Sequence, residues 1–408
     1  MIVRQGFHKF RSVYLALTTV VLLVGFPLTV AACLWDRDTL AAEGRGIPDV
    51  IAVLTGRFER NPDLYYEMRL TRIESLLKSQ SLELALYDDA GVACDRLGRH
   101  DEAIAWMIRK KAIVDASGSE HSDIREHLYR YHANYGTFLV HRWLSQGADR
   151  SKIHEVELAC EEIAKALEIN PDAHFGREKY QLQAMQWIVN PPQIDLYSPL
   201  PTFIKWNAGV IYSEMPDPDE VEKTVNGLTG LVALGNAWNS VDVFYALCST
   251  LQLHTKGFEP TRLGGRNSLA YLAWLRCNEL IDQGGNSLLL DSPRGELLKQ
   301  KLYRPDFVQP EMSLDRTFQD LREEADRWHA ERTAFMMQRL KTGYHPDTDP
   351  NFWDGYADRV APELPSVSVV AVFESWQSLK MKIILAVLVG VPLLVLGGLG
   401  WLMLGRRA

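Results

Sequence analysis

Short chemical motifs are what this chain lacks most. It contains no Cys-x-x-Cys, no phosphate-binding loop, no Gly-x-Ser-x-Gly elbow and no Gly-x-Gly-x-x-Gly fingerprint. His154-Glu155 begins like a zinc-protease helix, but position 158 is Leu where the second His is required. The histidines His121, His127, His132 and His141 crowd one stretch. None is spaced i, i+4, so no pair shares a helical face as metal ligands do. Asp347, Asp349 and Asp354 resemble a calcium loop only faintly, because Pro350 follows Asp349 and the glycine and closing glutamate are missing. No catalytic residue, metal site or cofactor is therefore expected. Cysteine is scarce as well: Cys33, Cys94, Cys160, Cys248 and Cys277 all sit in apolar surroundings and read as small core fillers. Long basic runs are absent and the net charge is −8, which excludes the electrostatic footprint of a nucleic-acid binder.

What the chain has is two long uncharged stretches with polar sequence between them. Ser12–Trp35 and Ile383–Leu404 carry no charged residue, and each is long enough to cross about 30 Å of hydrocarbon as a helix. Each has a mid-span proline, Pro27 or Pro392, and a tryptophan near one end, Trp35 or Trp401. Arg4, Lys9 and Arg11 precede the first, whereas Asp36, Arg37 and Asp38 nearly cancel after it. This asymmetry keeps the N-terminus cytoplasmic and places residues 36–380 outside the cytoplasm, consistent with the arginines of the tail. A cleaved secretory signal, or a lipoprotein signal with Cys33 lipidated in Val30-Ala31-Ala32-Cys33, leaves the main part on the same side. The expected location is a bacterial inner membrane.

Between these segments the periodicity is helical. In Tyr87–Ala112 two short helices break at Gly98, with Ala90, Gly91 and Ala103 as small residues where the helices must touch. A second unit runs from Tyr135-Gly136 to Ala159, Ile163, Ala166 and Asn170-Pro171, with extra residues around Ser145–Ser151. Gly91 and Ala103 occupy the eighth and twentieth places of a unit that closely resembles the tetratricopeptide repeat. The resemblance covers roughly residues 64–190 and extends weakly to 300. It implies an all-α fold, an α-solenoid of stacked hairpins that binds partners and performs no chemistry.

The expected organisation is an N-terminal membrane helix or signal anchor (1–35), repeats (36–190), a proline-rich connector (191–220) and further hairpins (221–310). A long amphipathic helix (311–343), a membrane-proximal linker (344–382) and a C-terminal span with its basic tail (383–408) complete it. In 221–310, Leu231–Trp238 has the spacing of a repeat's first helix and Asp242–Leu253 supplies the second, while Gly227, Gly230 and Gly235 suit close helix contact. Ser313 and Gly343 bracket the long helix, whose apolar seam (Leu314, Phe318, Leu321, Ala325, Trp328, Phe335) either packs on the array or pairs with a second copy as a homo-oligomer. Val367–Phe373 is β-branched and suits either one added strand or an extension of the membrane helix.

In the repeat family the first helix of each unit lines a concave groove. Carried onto this chain, the groove residues are Asp88, Asp95, Arg96, Arg130, Asn134, Thr137 and His141. Asp88 and Asp95 imply a protein partner offering a basic, extended segment. A membrane-tethered scaffold is thus the expected function. The alternatives are an enzyme or enzyme subunit with a site in residues 190–360, where Trp206, Trp238, Trp274, Trp328 and Trp353 would line a pocket, or a purely structural homo-oligomer driven by the long helix.

Overall fold

The computed structural model describes residues 34–46, 49–117, 123–171, 176–191, 218–253, 266–289, 292, 294–305 and 311–362. Among them every regular element is helical and no strand occurs. The first two helices are short: α1 (Arg37–Gly44) and α2 (Val50–Thr55). Five follow at close intervals: α3 (Asp63–Leu76), α4 (Leu84–Arg96), α5 (His100–Ser117), α6 (Ile124–Ser145) and α7 (His154–Ile169). Then come α8 (Arg177–Val189), α9 (Pro218–Ala233), α10 (Val241–Leu251), α11 (Arg266–Asp282), α12 (Glu296–Lys299) and α13 (Glu311–Lys341).

The hairpins expected from small-residue spacing are present. The α4–α5 turn is closed by Gly98 at φ +72°, with Gly98 N donating to Asp95 O at 2.9 Å and Arg99 N to Cys94 O at 2.8 Å. This doubly bonded ending uses glycine because a Cβ is penalised in the left-handed region. α6 packs on α7, and a Cβ placed on Gly136 would lie 2.9 Å from the Ala159 carbonyl oxygen. The residues inserted between these two partners extend α6 to Ser145 and form the turn and short 3₁₀ segment Arg150–Lys152 before α7. On α7, Val156, Ala159, Ile163 and Ala166 are buried at steps of three and four. α10 is buried on every side, which suits its continuous apolar composition, and Ser240 caps it by accepting from Val243 N. Cys94, Cys248 and Cys277 are buried, free thiols, as core fillers should be.

Consecutive helices from α3 to α11 pack on one another wherever both partners are described, and α9 packs on α8. Leu231–Trp238 departs from the expected hairpin. The helix stops at Ala233, Asn236 adopts φ +69°, and Trp238 lies in the 3₁₀ turn Ala237–Asn239. The first helix of that hairpin is α9, which brings Gly227 against the Tyr180 ring and Gly230 against Arg177.

Both ends of the array are tied in. α13 packs on α11, α2 and α3, with Leu314, Phe318, Leu321, Ala325 and Trp328 all buried. Its seam therefore docks on its own chain, and Gly343 ends it at φ +90° as expected. The helix begins at Glu311, two residues before the expected cap Ser313.

Two boundaries need correction. Residues 36–62, expected within the repeats, form no repeat hairpin: Asp49 caps the short α2 by accepting from Ile51 N at 2.6 Å, and Val53 and Leu54 enter the core beside α9, α11 and α13. Residues 344–362 are no linker either, because His345 and Phe352 are buried, and His345 stacks on Tyr65 with ring centroids 4.5 Å apart.

Among the described residues no helix is long and apolar enough to cross a membrane. Both expected spans lie outside the described residues except for Leu34 and Trp35. Trp35 was expected in an interfacial belt; it is instead 2% exposed and packed edge-on against Tyr129 of α6 at 5.2 Å. Residues 192–217 of the proline-rich connector (191–220), Cys33, His121, Trp206 and Val367–Phe373 also lie outside the described residues, and the connector's last residues, from Pro218, already belong to α9.

Candidate binding site

The seven residues expected to line a groove all lie on α4 and α6, but the face formed by all except Arg96 is covered. The strap Leu34–Asp38 lies across it. Asn134 Oδ1 accepts from Trp35 N at 2.8 Å, and Asn134 Nδ2 donates to Trp35 O at 3.0 Å. One amide side chain thus pairs with both polar groups of one backbone residue, as a neighbouring strand would. Arg37 N donates to Asp89 Oδ1 at 3.0 Å, and the two side chains form an ion pair at 2.6 Å. Arg130 lies over the Trp35 ring at 5.6 Å while its Nε bonds Glu126.

The remaining groove positions are occupied from within. Asp88 is buried and receives Lys110 Nζ at 2.6 and 2.7 Å and Asn134 Nδ2 at 3.2 Å. Burial pushes the Asp88 carboxyl up and the Lys110 ammonium down, each opposed by the partner's charge. Thr137 accepts from Gln181 of α8 at 3.0 Å. Asp95 is held between His100 Nδ1 at 2.9 Å and His141 Nδ1 at 2.8 Å, joining α4, α5 and α6. Desolvation opposes its ionisation, but the two imidazoles prevail and hold its carboxyl well below the usual range. Asp88 and Asp95 therefore present no acidic patch to a partner. Their charges are consumed by Lys110 and His100, neither of which was expected at the site. Asp95, His100 and His141 could together hold a metal ion by composition and proximity. They come from three helices, so no i, i+4 pattern betrays them.

Beyond the groove, Arg69 of α3 gathers the two ends of the helical array. Its fully buried guanidinium donates to Asp36 at 3.2 Å, to Asp38 at 2.8 and 2.9 Å, and to Asp347 at 2.6 and 2.9 Å. Arg72 adds a bond to Asp347 at 2.6 Å. The Asp347 carboxyl is lowered to about 2: burial opposes this, and bonding and charge from Arg69 outweigh it. Asp36 moves the other way, to about 6, because burial and Asp38 outweigh Arg69. His345 Nε2 lies 3.0 Å from Tyr65 O, and its Nδ1 accepts from Asp347 N. The protonated nitrogen is thus Nε2. Of the suspected calcium-loop residues, Asp347 serves the arginines and Asp349 pairs with Arg339 at 2.8 Å.

A cavity of about 630 Å³ opens beside this network, bounded by the strap, residues 57–61, the end of α9, the Trp238 turn and α13. Trp238, Trp328 and Trp353 line it. Trp274 is not among the lining residues and stacks on Tyr271 at 5.5 Å. The indole faces are already covered by arginine: Arg60 over Trp238 at 5.1 Å, Arg57 over Trp328 at 5.0 Å, and Arg332 over Trp353 at 4.6 Å. Arg96, expected in the groove, opens into this cavity and donates to Leu234 O at 2.8 Å. Comparison with family models, curated proteins and solved structures finds no match to this chain.

Proposed function

We propose that the chain is a membrane-tethered scaffold built on a tetratricopeptide-like array, acting outside the cytoplasm and without catalysis of its own. One observation supports this reading: the α4–α6 face holds the segment that leads into α1 by its backbone, Asn134 pairing with both polar groups of Trp35 and Asp89 accepting from Arg37 N at the start of α1, with the Trp35 ring as an aromatic anchor. An extended partner would be held by the same backbone pairing with a few side-chain anchors. Here the occupant is the chain's own strap, which follows directly on the apolar stretch Ser12–Trp35. A partner segment would compete with the strap, so tension or displacement at the membrane end would set the groove's availability.

The test uses the full chain in neutral detergent and a fluorescent peptide of residues 34–46. A Trp35→Ala/Arg37→Ala variant weakens the internal strap and should bind the peptide saturably. Wild type should bind it far more weakly, and adding Asn134→Ala should abolish the gain. Equal, weak binding to all three proteins would remove the groove as a peptide site and the scaffold reading with it.

A second reading, as an enzyme, is favoured by Asp36, a cavity-lining carboxyl raised to about 6. It is the weaker one, because that carboxylate already accepts from Thr39 N and Arg69.

A further inference from the structure

The cavity beside Arg69 carries positive charge that the described carboxylates leave unbalanced. Arg57 is answered by Glu324 at 2.5 Å. Arg45 and Arg332 share Glu59, at 3.1 and 3.5 Å. Asp36 and Asp38, the acids on the opposite wall, are committed to Arg69. That leaves Arg60 and Arg96. Each donates one hydrogen bond to a backbone carbonyl, Arg60 to Gly56 O at 3.2 Å and Arg96 to Leu234 O at 2.8 Å. Neither forms an ion pair with any described carboxylate. The Arg60 Nε is buried and has no hydrogen-bond partner.

Unmatched cations in a partly desolvated recess are costly unless something else balances them. The surroundings raise the cost here. Arg276 and Arg322 lie over the same Trp238 ring as Arg60, at 3.7 and 5.2 Å; they share the carboxylate of Glu279, and Arg322 also pairs with Asp326 at 3.2 Å. Burial and the neighbouring Arg322 lower Arg60 to about 10, with Asp326 opposing.

We propose that this cavity binds a small molecule bearing a phosphate or similar tetrahedral oxyanion, with Arg60 and Arg96 as its principal ligands. The guanidinium fork suits such a group, since several N–H donors converge on oxygens that accept along separate lone pairs. A volume of about 630 Å³ is within the range of small-molecule sites. Stacking is not the mode of recognition, because the three indole faces are already occupied by guanidiniums. The oxyanion belongs either to a soluble metabolite or to a lipid headgroup, and both present the same chemistry to the arginines. The assignment does not require a partner in the groove, although the strap that fills it forms one wall of the cavity.

Calorimetric titration of the full chain in neutral detergent, with inorganic phosphate at constant ionic strength, tests it. Wild type should bind one phosphate per chain saturably, while sodium chloride at the same ionic strength gives no such isotherm. Arg60→Gln should weaken binding by roughly tenfold or more, as loss of a charge-assisted bond requires. Arg96→Gln, at a half-buried helix end, should do the same and carries the test if Arg60→Gln fails to fold. Peptide capture by the strap-weakened variant reports the groove and the wild-type phosphate isotherm reports this cavity, so failure of one and failure of the other are separable. Competition by dihexanoyl phosphatidate against glycerol 3-phosphate assigns the source: tighter competition by the first indicates a headgroup, by the second a soluble ligand. An isotherm in wild type no different from sodium chloride, or phosphate binding retained by folded Arg60→Gln and Arg96→Gln, overturns the proposal.

Discussion

At the scale of single residues, stability rests on buried polar groups whose partners lie far away in sequence. Asn134 is fully buried and satisfies both backbone groups of Trp35, 99 residues away. Replacing it by Ala removes both of these bonds from a buried site, and a loss of about 1–3 kcal/mol in chemical denaturation is expected. The acids set the pH profile. Asp242 is buried, accepts from Ser287 Oγ and Leu288 N, and is raised to about 6 because desolvation outweighs those bonds. A carboxyl raised on folding favours the native state while protonated, so its contribution declines as pH rises from about 4 through 6. Asp347, lowered to about 2, works in the opposite sense: its contribution is complete above about pH 4 and is lost as pH falls through 2. Melting temperature should therefore peak at about pH 4 as far as these two groups decide it. Asp242→Asn should raise it at pH 7.5, by on the order of 2 kcal/mol of stability, and change it little at pH 4. An equal effect at both pH values would mean that Asp242 is ionised in the fold throughout.

At the scale of elements, what the sequence reveals depends on whether a contact is local. Gly91, Ala103, Gly136 and Ala159 mark hairpins because two helices joined by a short turn must approach where side chains are smallest. The α9–α10 hairpin was legible in part. Leu231–Trp238 has apolar spacing that suits a helix, yet the chain turns at Asn236 so that Trp238 can receive three guanidiniums. That requirement comes from Arg60, Arg276 and Arg322, and no window around Trp238 contains it. The close contacts can be ranked by mutation. A Cβ on Gly227 would lie 2.2 Å from the Tyr180 ring, and one on Gly136 would meet a backbone carbonyl. A Cβ on Gly91 would meet chiefly the Met107 methyl at 2.9 Å and the Phe138 ring at 3.0 Å. Gly136→Ala and Gly227→Ala should each cost about 2–3 kcal/mol, and Gly91→Ala less, since the methionine end can swing aside. Thermal melts of the three variants check the order, and a Gly91 variant as damaged as the others would refute the close-packing argument.

At the scale of the whole molecule, the array is bound to itself. The strap, α3 and the turn after α13 meet at Arg69, so Asp36, Asp38 and Asp347 hold together parts of the chain more than 270 residues apart. Removing one partner of such a buried pair is costly because the other charge stays behind. Asp347→Ala should cost on the order of 3 kcal/mol. It should also raise amide exchange in α3 and in residues 344–352 before the α6–α7 hairpin is affected. Uniform acceleration across all helices would show that closure is not a separate contact.

The sequence by itself determined that the described body is helical, where most helices lie and which small residues lie between them. These properties follow from periodicities and spacings within a turn or two of chain. Tertiary structure decided what the groove residues do. Asp88, Asp95, Asn134, Thr137 and His141 lie together as the repeat pattern implies, but Lys110, His100, Gln181 and the strap take up their polar groups. Whether a polar side chain faces solvent or a partner depends on segments that arrive from elsewhere in the chain. Residues 34–38 carry no local mark of that destination, and their apolar and charged residues fit the end of a membrane segment as well as they fit a strap.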